Sequence, residues 1–398
     1  MEKETIQNTA ILKLKELNRV ILTWATGVGK GYTTVKAIDT LKPTKTIIFV
    51  AESAHKKNWE NEFKNLNVPF NNIIIECYAS LKKYKNTNWD LIVFDEAHHL
   101  NSEKRIAILE TLKTNKILAL SATLNTDIID TLSRIFGNFY HFNIEIQKAI
   151  DNNYIPQPII YLIPLTLNGI SPTEEIVETW GKTTLRKIFK CEYKDRFKYL
   201  FAKTRYPNVE LHISCTALQK YNYLTDKIEY WKNRYFACGR EVVKNKWLQL
   251  GTIRKRYLGE LKTKEVKSLL NRLKDKRLIC FCTSIEQAQL LGANYVINSK
   301  NSKTENQKLI DNFNSGTNNK LFAIGMLQEG QNLSNIEIGI IVQLDGKERQ
   351  FIQKLGRVLR STNPVQYIFY YRGTKDEEYL KNVTENIDNR FIKQYEES

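Results

Sequence analysis

Apolar positions divide the chain into three stretches. Between residues 20 and 125, short runs of Ile, Val and Leu alternate with amphipathic segments. The runs at 20–24, 45–50, 72–77, 90–94 and 116–120 are nearly continuous, the pattern of strands buried on both faces of a parallel sheet. Ahead of them, Ile6, Ala10, Leu14 and Leu17 recur at helical spacing, and residues 32–41 read as a helix behind the first run. Residues 126–156 read as helical and then irregular. Pro156 and Pro158 precede another strand candidate, Ile159 to Leu165. Residues 174–276 read as mostly helical. Alternation then returns, with strands expected at 277–282, 293–298, 320–324, 338–343 and 366–371. Helices are expected at 285–291, 303–314 and 347–360, with a polar helix from about 375. The expectation is an α/β protein of two parallel-sheet lobes around a helical insert. The first lobe covers 1–156, the second starts at 157–173, the insert covers 174–276, and 277–398 completes the second lobe.

Parallel sheets bind ligands where their strands end, and polar residues gather at those ends. Val20 to Trp24 opens into Ala25-Thr26-Gly27-Val28-Gly29-Lys30 and then a helix. Such a turn gathers backbone N–H groups at the positive end of a helix dipole, which suits phosphate. Gly27 and Gly29 permit close approach, and Lys30 reaches the terminal phosphates. Two positions depart from the usual loop. Trp24 stands where a glycine is usual, and Gly31 where a Ser or Thr hydroxyl would bind Mg²⁺. Another residue, Thr33 or Thr34 for example, could supply that ligand. Asp95-Glu96 follows Lys30 by 65 residues, at the end of the run 90–94. Asp95 suits Mg²⁺, and Glu96 suits the base that activates the attacking water. His98 and His99 could suggest a metal, but no other His or Cys cluster supports one. Trp59 and Phe63, four apart, read as core packing.

Charge adds a partner. The net charge is +17, and the stretch Lys182 to Lys276 holds 25 basic and 9 acidic residues, which points to a polyanion. Arg254, Lys255 and Arg256 form a basic run there. Phe189, Tyr193, Phe197, Tyr230, Trp231, Tyr235 and Trp247 are interleaved, as helix core first and as stacking partners for bases second. No apolar run is long enough to span a membrane, and no signal segment follows Met1. The six cysteines form no Cys-x-x-Cys pair, so neither a zinc cluster nor a disulfide framework is expected. Cys280 and Cys282 share one face of a strand and read as buried. The expected setting is cytoplasmic. Usage rich in Asn, Ile and Lys suits an AT-rich bacterial or phage genome.

The polar segments also carry a resemblance. In chain order, Ala25 to Lys30, Ala51 to Phe63, Tyr78 to Leu81, Asp95-Glu96-Ala97-His98 and Ser121-Ala122-Thr123 resemble the first motifs of the superfamily 2 helicases, DEAH-type group. Ile279 to Thr283, Glu329 to Leu333 and Gln353 to Arg360 resemble the later ones, with Asn332 where many members carry Asp. The resemblance implies two RecA-like lobes of the P-loop NTPase kind, with ATP and Mg²⁺ between them and nucleic acid across both. It implies that Arg357 and Arg360 reach the γ-phosphate when the lobes close, and that His98 bridges the Asp95-Glu96 end to Ser121-Ala122-Thr123. Gln7, Thr26, Gly27, Val28, Gly29, Lys30, Gly31, Tyr32, Gly330, Asn332 and Gln353 become the expected nucleotide contacts. Ser80 and Thr283 join Arg254, Lys255 and Arg256 on the nucleic-acid side. Leu359-Arg360 and the pair His98-His99 are more similar to the DNA-directed members, the XPB-like, UvsW-like and restriction-motor-like proteins. The expected function is that of an ATP-dependent DNA helicase or translocase. An RNA helicase is the alternative within enzymes. A nucleic-acid-binding protein with a degenerate ATP site is the alternative that Gly31 and Asn332 keep open.

Overall fold

The computed structural model describes residues 2–181, 186–199, 201–292, 294–324, 333, 335–359 and 361–395. Strands β1 (Arg19–Trp24), β2 (Thr46–Val50), β3 (Ile73–Cys77), β4 (Asn88–Phe94), β5 (Lys113–Ser121) and β6 (Tyr140–Ile144) build the first sheet. They pair in parallel in the order β3-β2-β4-β5-β1-β6. Alternate residues of the central strands are buried in opposite directions. Val20, Leu22 and Trp24 pack with Ile6, Leu14, Val35, Trp59 and Phe63 of helices α1 (Lys3–Leu17), α2 (Lys30–Leu41) and α3 (Ser53–Asn65). Ile21, Phe49 and Phe94 pack the other way, toward Leu109, Ile128 and Leu132 of α4 (Glu103–Leu109) and α5 (Thr126–Phe136). Cover on both faces is why these strands are apolar throughout. β6 lies where irregular chain was expected. It is an edge strand whose residues alternate half-buried and exposed up to a buried Ile144, too short and polar to stand out as a run.

A short helix, α6 (Ile146–Asp151), leads to β7 (Ile159–Leu165), which joins the other large sheet. Between β7 and the rest of that sheet lies the insert. The helical expectation fails for its first forty or so residues, which hold a three-stranded sheet. Here β8 (Glu174–Trp180) and β9 (Lys187–Glu192) flank β10 (Val209–Cys215). The period in β10 is two: Val209, Leu211, Ile213 and Cys215 are buried, and the last three share a small core with Ile176. A short helix, α7 (Ala202–Arg205), precedes β10, and after it comes a long hairpin of α8 (Ala217–Cys238) and α9 (Glu241–Leu261). Thr216 and Gln219 form a capping box at the start of α8, and Gly239 ends it at φ +63°.

The next helix, α10 (Thr263–Arg272), within the expected insert, packs on the second sheet. Its Val266, Leu269 and Leu270 pack on Leu278, Cys280 and Phe322. Strands β11 (Leu278–Cys282), β12 (Val296–Ile297), β13 (Lys320–Ile324), β14 (Ile338–Ile341), β15 (Val365–Tyr371) and β16 (Ile392–Gln394) complete a parallel sheet ordered β12-β13-β11-β14-β15-β7-β16. It carries helices α11 (Ile285–Gly292), α12 (Lys303–Asn314), α13 (Glu348–Val358) and α14 (Lys375–Thr384). β12 is shorter than expected, and β16 was not expected. Cys280 and Cys282 are buried, their Sγ atoms 3.8 Å apart.

Lys262 fastens the insert to this sheet. It stands between α9 and α10 and is fully buried. Its Nζ lies 3.0 Å from Val342 O, 2.8 Å from Gln343 Oε1, 3.1 Å from Phe369 O and 2.7 Å from Asp376 Oδ2. These partners belong to the ends of two strands and the start of α14. Lys262→Met should leave the Asp376 carboxylate buried without its cation and lower stability by about 3–5 kcal/mol, read from the urea midpoint. Adding Asp376→Leu to the same chain should recover most of that loss, since the pair is worth little more than well-packed apolar groups.

Candidate nucleotide site

β1 runs into residues 25–29, and α2 begins at Lys30. Gly27 and Gly29 hold φ of +93° and +104°, open to glycine and strained for other residues. Helix α1 braces the loop. Lys3 Nζ donates to Gly27 O at 2.8 Å, and Gln7 Nε2 donates to Val28 O at 3.1 Å. Burial lowers the Lys3 pKa from its ordinary value. A trans peptide sets N–H opposite C=O, so holding Val28 O toward α1 turns the Gly29 N–H away from it. Gln7, an expected nucleotide contact, thus has its amide nitrogen on the loop backbone. A Cβ on Gly29 would stand 2.6 Å from Gln7 Nε2. Lys30 Nζ donates to Trp24 O at 2.7 Å. Thr33 and Thr34, the hydroxyls considered in place of Gly31, face into the helix. Both are buried, and their Oγ1 atoms donate within the helix to Gly29 O at 2.8 Å and Lys30 O at 2.9 Å.

Asp95 and Glu96 follow β4 directly. Asp95 Oδ2 accepts from Trp59 Nε1 at 2.9 Å, and His55 Nδ1 stands 3.6 Å from the same oxygen. No described residue donates to Oδ1. Spacing along α3 placed Trp59 in the core. Its ring is buried there, but its N–H serves the carboxylate, which spacing on one helix could not reveal. Tyr78 OH donates to Asp95 O at 2.8 Å. Burial first, then the charges of Asp95 and Glu96, push the Tyr78 pKa well above its usual value, which keeps that donor protonated. Glu96 holds φ +51° and ψ +55°. His98 is buried, with Nδ1 3.2 Å from Glu96 Oε2 and 3.2 Å from Ser121 Oγ. Ser121 Oγ donates to Thr123 O at 2.6 Å. His98 and the turn 121–123 are therefore in contact.

The second sheet reaches this corner through α13. A Cβ on Gly356 would stand 2.6 Å from Thr26 Cβ, so the helix backbone rests against the phosphate loop. Gln353 and Arg357, four residues apart on α13, lie on either side of Gly356 in the sequence. Arg360, Gly330 and Asn332 lie outside the described residues.

Residues 1–83 and 70–126 match the family model described as type III restriction enzyme, res subunit, and residues 261–362 match the helicase conserved C-terminal domain. One match covers the phosphate loop and Asp95-Glu96, the other covers α13. The chain belongs to the superfamily 2 helicases. Nucleoside triphosphatase I of Heliothis armigera entomopoxvirus is 33% identical over 158 residues, 31% of this chain and 24% of that protein. The DNA 3'-5' translocase XPB2 of Sulfurisphaera tokodaii is 26% identical over 102 residues, 25% of this chain and 23% of that protein. The chain thus spans about a quarter of the length of these curated relatives. The ATP-dependent type ISP restriction-modification enzyme LlaBIII bound to DNA shares the fold, with a TM-score of 0.52 at 12% identity over 98% of this chain and 30% of that one.

In this helicase chain, the residues expected on nucleic acid do not form one surface. Arg254 is a correction. It is buried, donating to Thr225 Oγ1 at 2.9 Å with its guanidinium 5.6 Å over the Tyr221 ring, so it joins α9 to α8. Arg256 pairs with Glu260 at 2.7 Å and with Glu286 at 3.0 Å. Burial lowers the pKa of Lys354 on α13; the Asp345 carboxylate opposes that, and the charge of Lys255 adds a smaller lowering. Thr283 donates from Oγ1 to Gln287 Oε1 at 2.6 Å, and its side chain fills the space a Cβ on Gly259 would need. It sits at the joint between insert and second sheet. Ser80 is half-buried in the turn after β3.

Gly356→Ala tests the approach of the two sheets. The added methyl has to displace Thr26 or the helix. Turnover of nucleoside triphosphate should fall about 10²-fold, the effect of misplacing a catalytic group by an ångström. Nucleotide affinity, measured by equilibrium binding, should stay within about threefold because the first sheet makes most ground-state contacts.

Proposed function

We propose that the chain is an ATP-dependent DNA translocase or helicase, which binds Mg²⁺-ATP in the corner between the two sheets and couples hydrolysis to movement on DNA or its remodelling. The approach of Gly356 to Thr26 carries this reading, because it sets α13, the helix that bears Arg357, against the loop that leads to Lys30. Among these residues, Lys30 and the loop amides hold the phosphates. Asp95 keeps one oxygen fixed by Trp59 and the other without a donor among the described residues, which fits a carboxylate that binds a metal. Mg²⁺ supplies charge neutralisation on the phosphates when bound. Glu96 takes the proton of the attacking water, and Arg357 with Arg360 stabilises the charge of the transition state. His98 links Glu96 to the turn at Ser121, the route by which nucleic acid on the first sheet reaches the base.

The triphosphatase and DNA translocase names of the two relatives support triphosphate and DNA over RNA. The charge of the insert supports a polyanion. Among the described residues no helix is long and apolar enough to cross a membrane. The cytoplasm of a bacterial or phage-infected cell is part of this reading. The deciding experiment measures ATP turnover alone and with single-stranded, duplex and forked DNA and with RNA. DNA should stimulate most. Equal stimulation by RNA would move the reading to an RNA motor, and no turnover with any of them would leave a binding protein with a degenerate site.

Three variants separate the roles. Lys30→Ala should abolish nucleotide binding, whereas Glu96→Gln should bind normally and not turn over. Arg357→Ala should bind ATP within a few-fold of the parent and lose about 10³-fold in kcat, the lower end for an arginine finger. Lysine at 357 should restore only part, since a point charge cannot reproduce the planar fork. On the insert, the tip of the α8–α9 hairpin carries Lys232, Arg234, Arg240 and Lys246 beside exposed Tyr230 and Phe236. Changing these four cations to Gln should weaken DNA binding and reduce the slope of log K against log salt by about 0.9 for each phosphate that is no longer neutralised. An unchanged slope would place the DNA elsewhere.

A further inference from the structure

One face of α3 looks onto the phosphate corner. His55, Trp59 and Glu62 recur on it at helical spacing, four and three residues apart. Trp59 Nε1 donates to Asp95 Oδ2 at 2.9 Å, His55 Nδ1 stands 3.6 Å from that oxygen, and the Glu62 carboxyl group lies 3.8 Å from where a Cβ on Gly31 would be. Trp59 is only 5% exposed, so its N–H has no access to bulk water. The same helix thus meets the site at two points: the carboxylate expected to hold the metal, and the position where its usual hydroxyl partner is missing.

We propose that Trp59 is a metal-positioning residue, whose indole N–H fixes Asp95 so that one carboxylate oxygen is presented to Mg²⁺ without the hydroxyl that Gly31 cannot supply. The inference rests on the nucleotide reading of the site. A carboxylate turns readily about its last bond, and its two oxygens are equivalent until something distinguishes them. A donor on Oδ2 distinguishes them and leaves Oδ1 for the metal. Mg²⁺ demands near-ideal geometry and gives up water reluctantly, so a ligand free to turn holds it poorly. In a site with a hydroxyl on the first helical turn, two protein groups share this task. Here Thr33 and Thr34 are occupied inside α2, and the task falls on Asp95. A neighbour that orients a metal ligand is commonly worth 10–100-fold in metal affinity.

The test uses the full chain and a fluorescent non-hydrolysable ATP analogue, whose equilibrium binding is followed as Mg²⁺ is titrated. Trp59→Phe keeps the ring and removes the donor. The Mg²⁺ concentration at half-maximal binding should rise about tenfold, while analogue affinity in EDTA moves by less than about twofold. Gly31→Ser should lower the Mg²⁺ midpoint more in the Trp59→Phe chain than in the parent, because the restored hydroxyl then replaces the missing constraint. If Trp59→Phe does not fold, Trp59→His, which keeps a ring N–H, compared with Trp59→Leu carries the same contrast. A Trp59→Phe chain that binds the analogue with the parent's Mg²⁺ midpoint overturns the proposal. A parent chain that binds no analogue with or without Mg²⁺ overturns the nucleotide reading itself. A Trp59 role confined to packing would lower the melting temperature and leave the Mg²⁺ midpoint where it was.

Discussion

The contact between Gly356 and Thr26 is the constraint on which the arrangement of the molecule depends. A helix backbone can rest on a loop this closely only where no side chain intervenes. Around that contact the two sheets share one apolar core. Ile144 of β6 and Ala149, Tyr154 and Ile155 of the connecting segment pack in the same cluster as Val28 of the loop and as Ile160, Phe351 and Leu355 of the second lobe. Ile155 Cγ2 would lie 3.1 Å from a Cβ on Gly27, so the connector also presses on the phosphate loop. The C-terminal segment adds polar fastenings: Asp388 N–H donates to Gln147 Oε1 at 3.0 Å, and Arg390 stands 3.6 Å from Asp151. The glycine loop after β1 is therefore held by α1, by the connector and by α13, from three directions.

The end of β4 is held as tightly and is strained. Glu96 takes a left-handed conformation that costs a residue with a Cβ about 1–2 kcal/mol. Such a conformation persists where its surroundings fix it. Here they do so on both sides. Tyr78 OH binds Asp95 O, Trp59 binds Asp95 Oδ2, and His99 N–H binds Glu96 O at 3.0 Å. His98 Nδ1 stands 3.2 Å from Glu96 Oε2 and 3.2 Å from Ser121 Oγ, so the end of β4 and the turn 121–123 meet at this ring.

The central strands of both sheets were legible because strands covered on both faces must be apolar at every position. β6 and β16 were not, being short edge strands with solvent on one side. The small sheet of the insert was missed for another reason. Its alternation is present in Val209, Leu211, Ile213 and Cys215, but the surrounding charge and aromatic content favoured a helical reading. At the site, the glycine loop and the acidic pair were visible as local patterns, since chemistry ties their residues together within a few positions. Trp59 was visible only as half of an i,i+4 pair, because its partner Asp95 is 36 residues away. Arg254 shows the converse. A run of three cations looks like one surface, yet a helix points successive residues about 100° apart, and this one points inward.

The insert is joined to the second sheet at its base rather than hung between the sheets. Lys262 ends α9 inside the second lobe, and Gly259, one turn earlier, packs against Thr283 after β11. Tyr257 and Leu258 share a cluster with Tyr371 at the end of β15. The hairpin and this sheet therefore move as one body unless a buried ion pair and an apolar seam are broken. Under the proposed function, DNA that pulls on the hairpin also pulls on the sheet that carries α13. The first sheet has no such attachment among the described residues. A load on the insert then acts across the contact at Gly356, where the fit is tightest and where a displacement smaller than a methyl group changes the distance from the arginine helix to the phosphates.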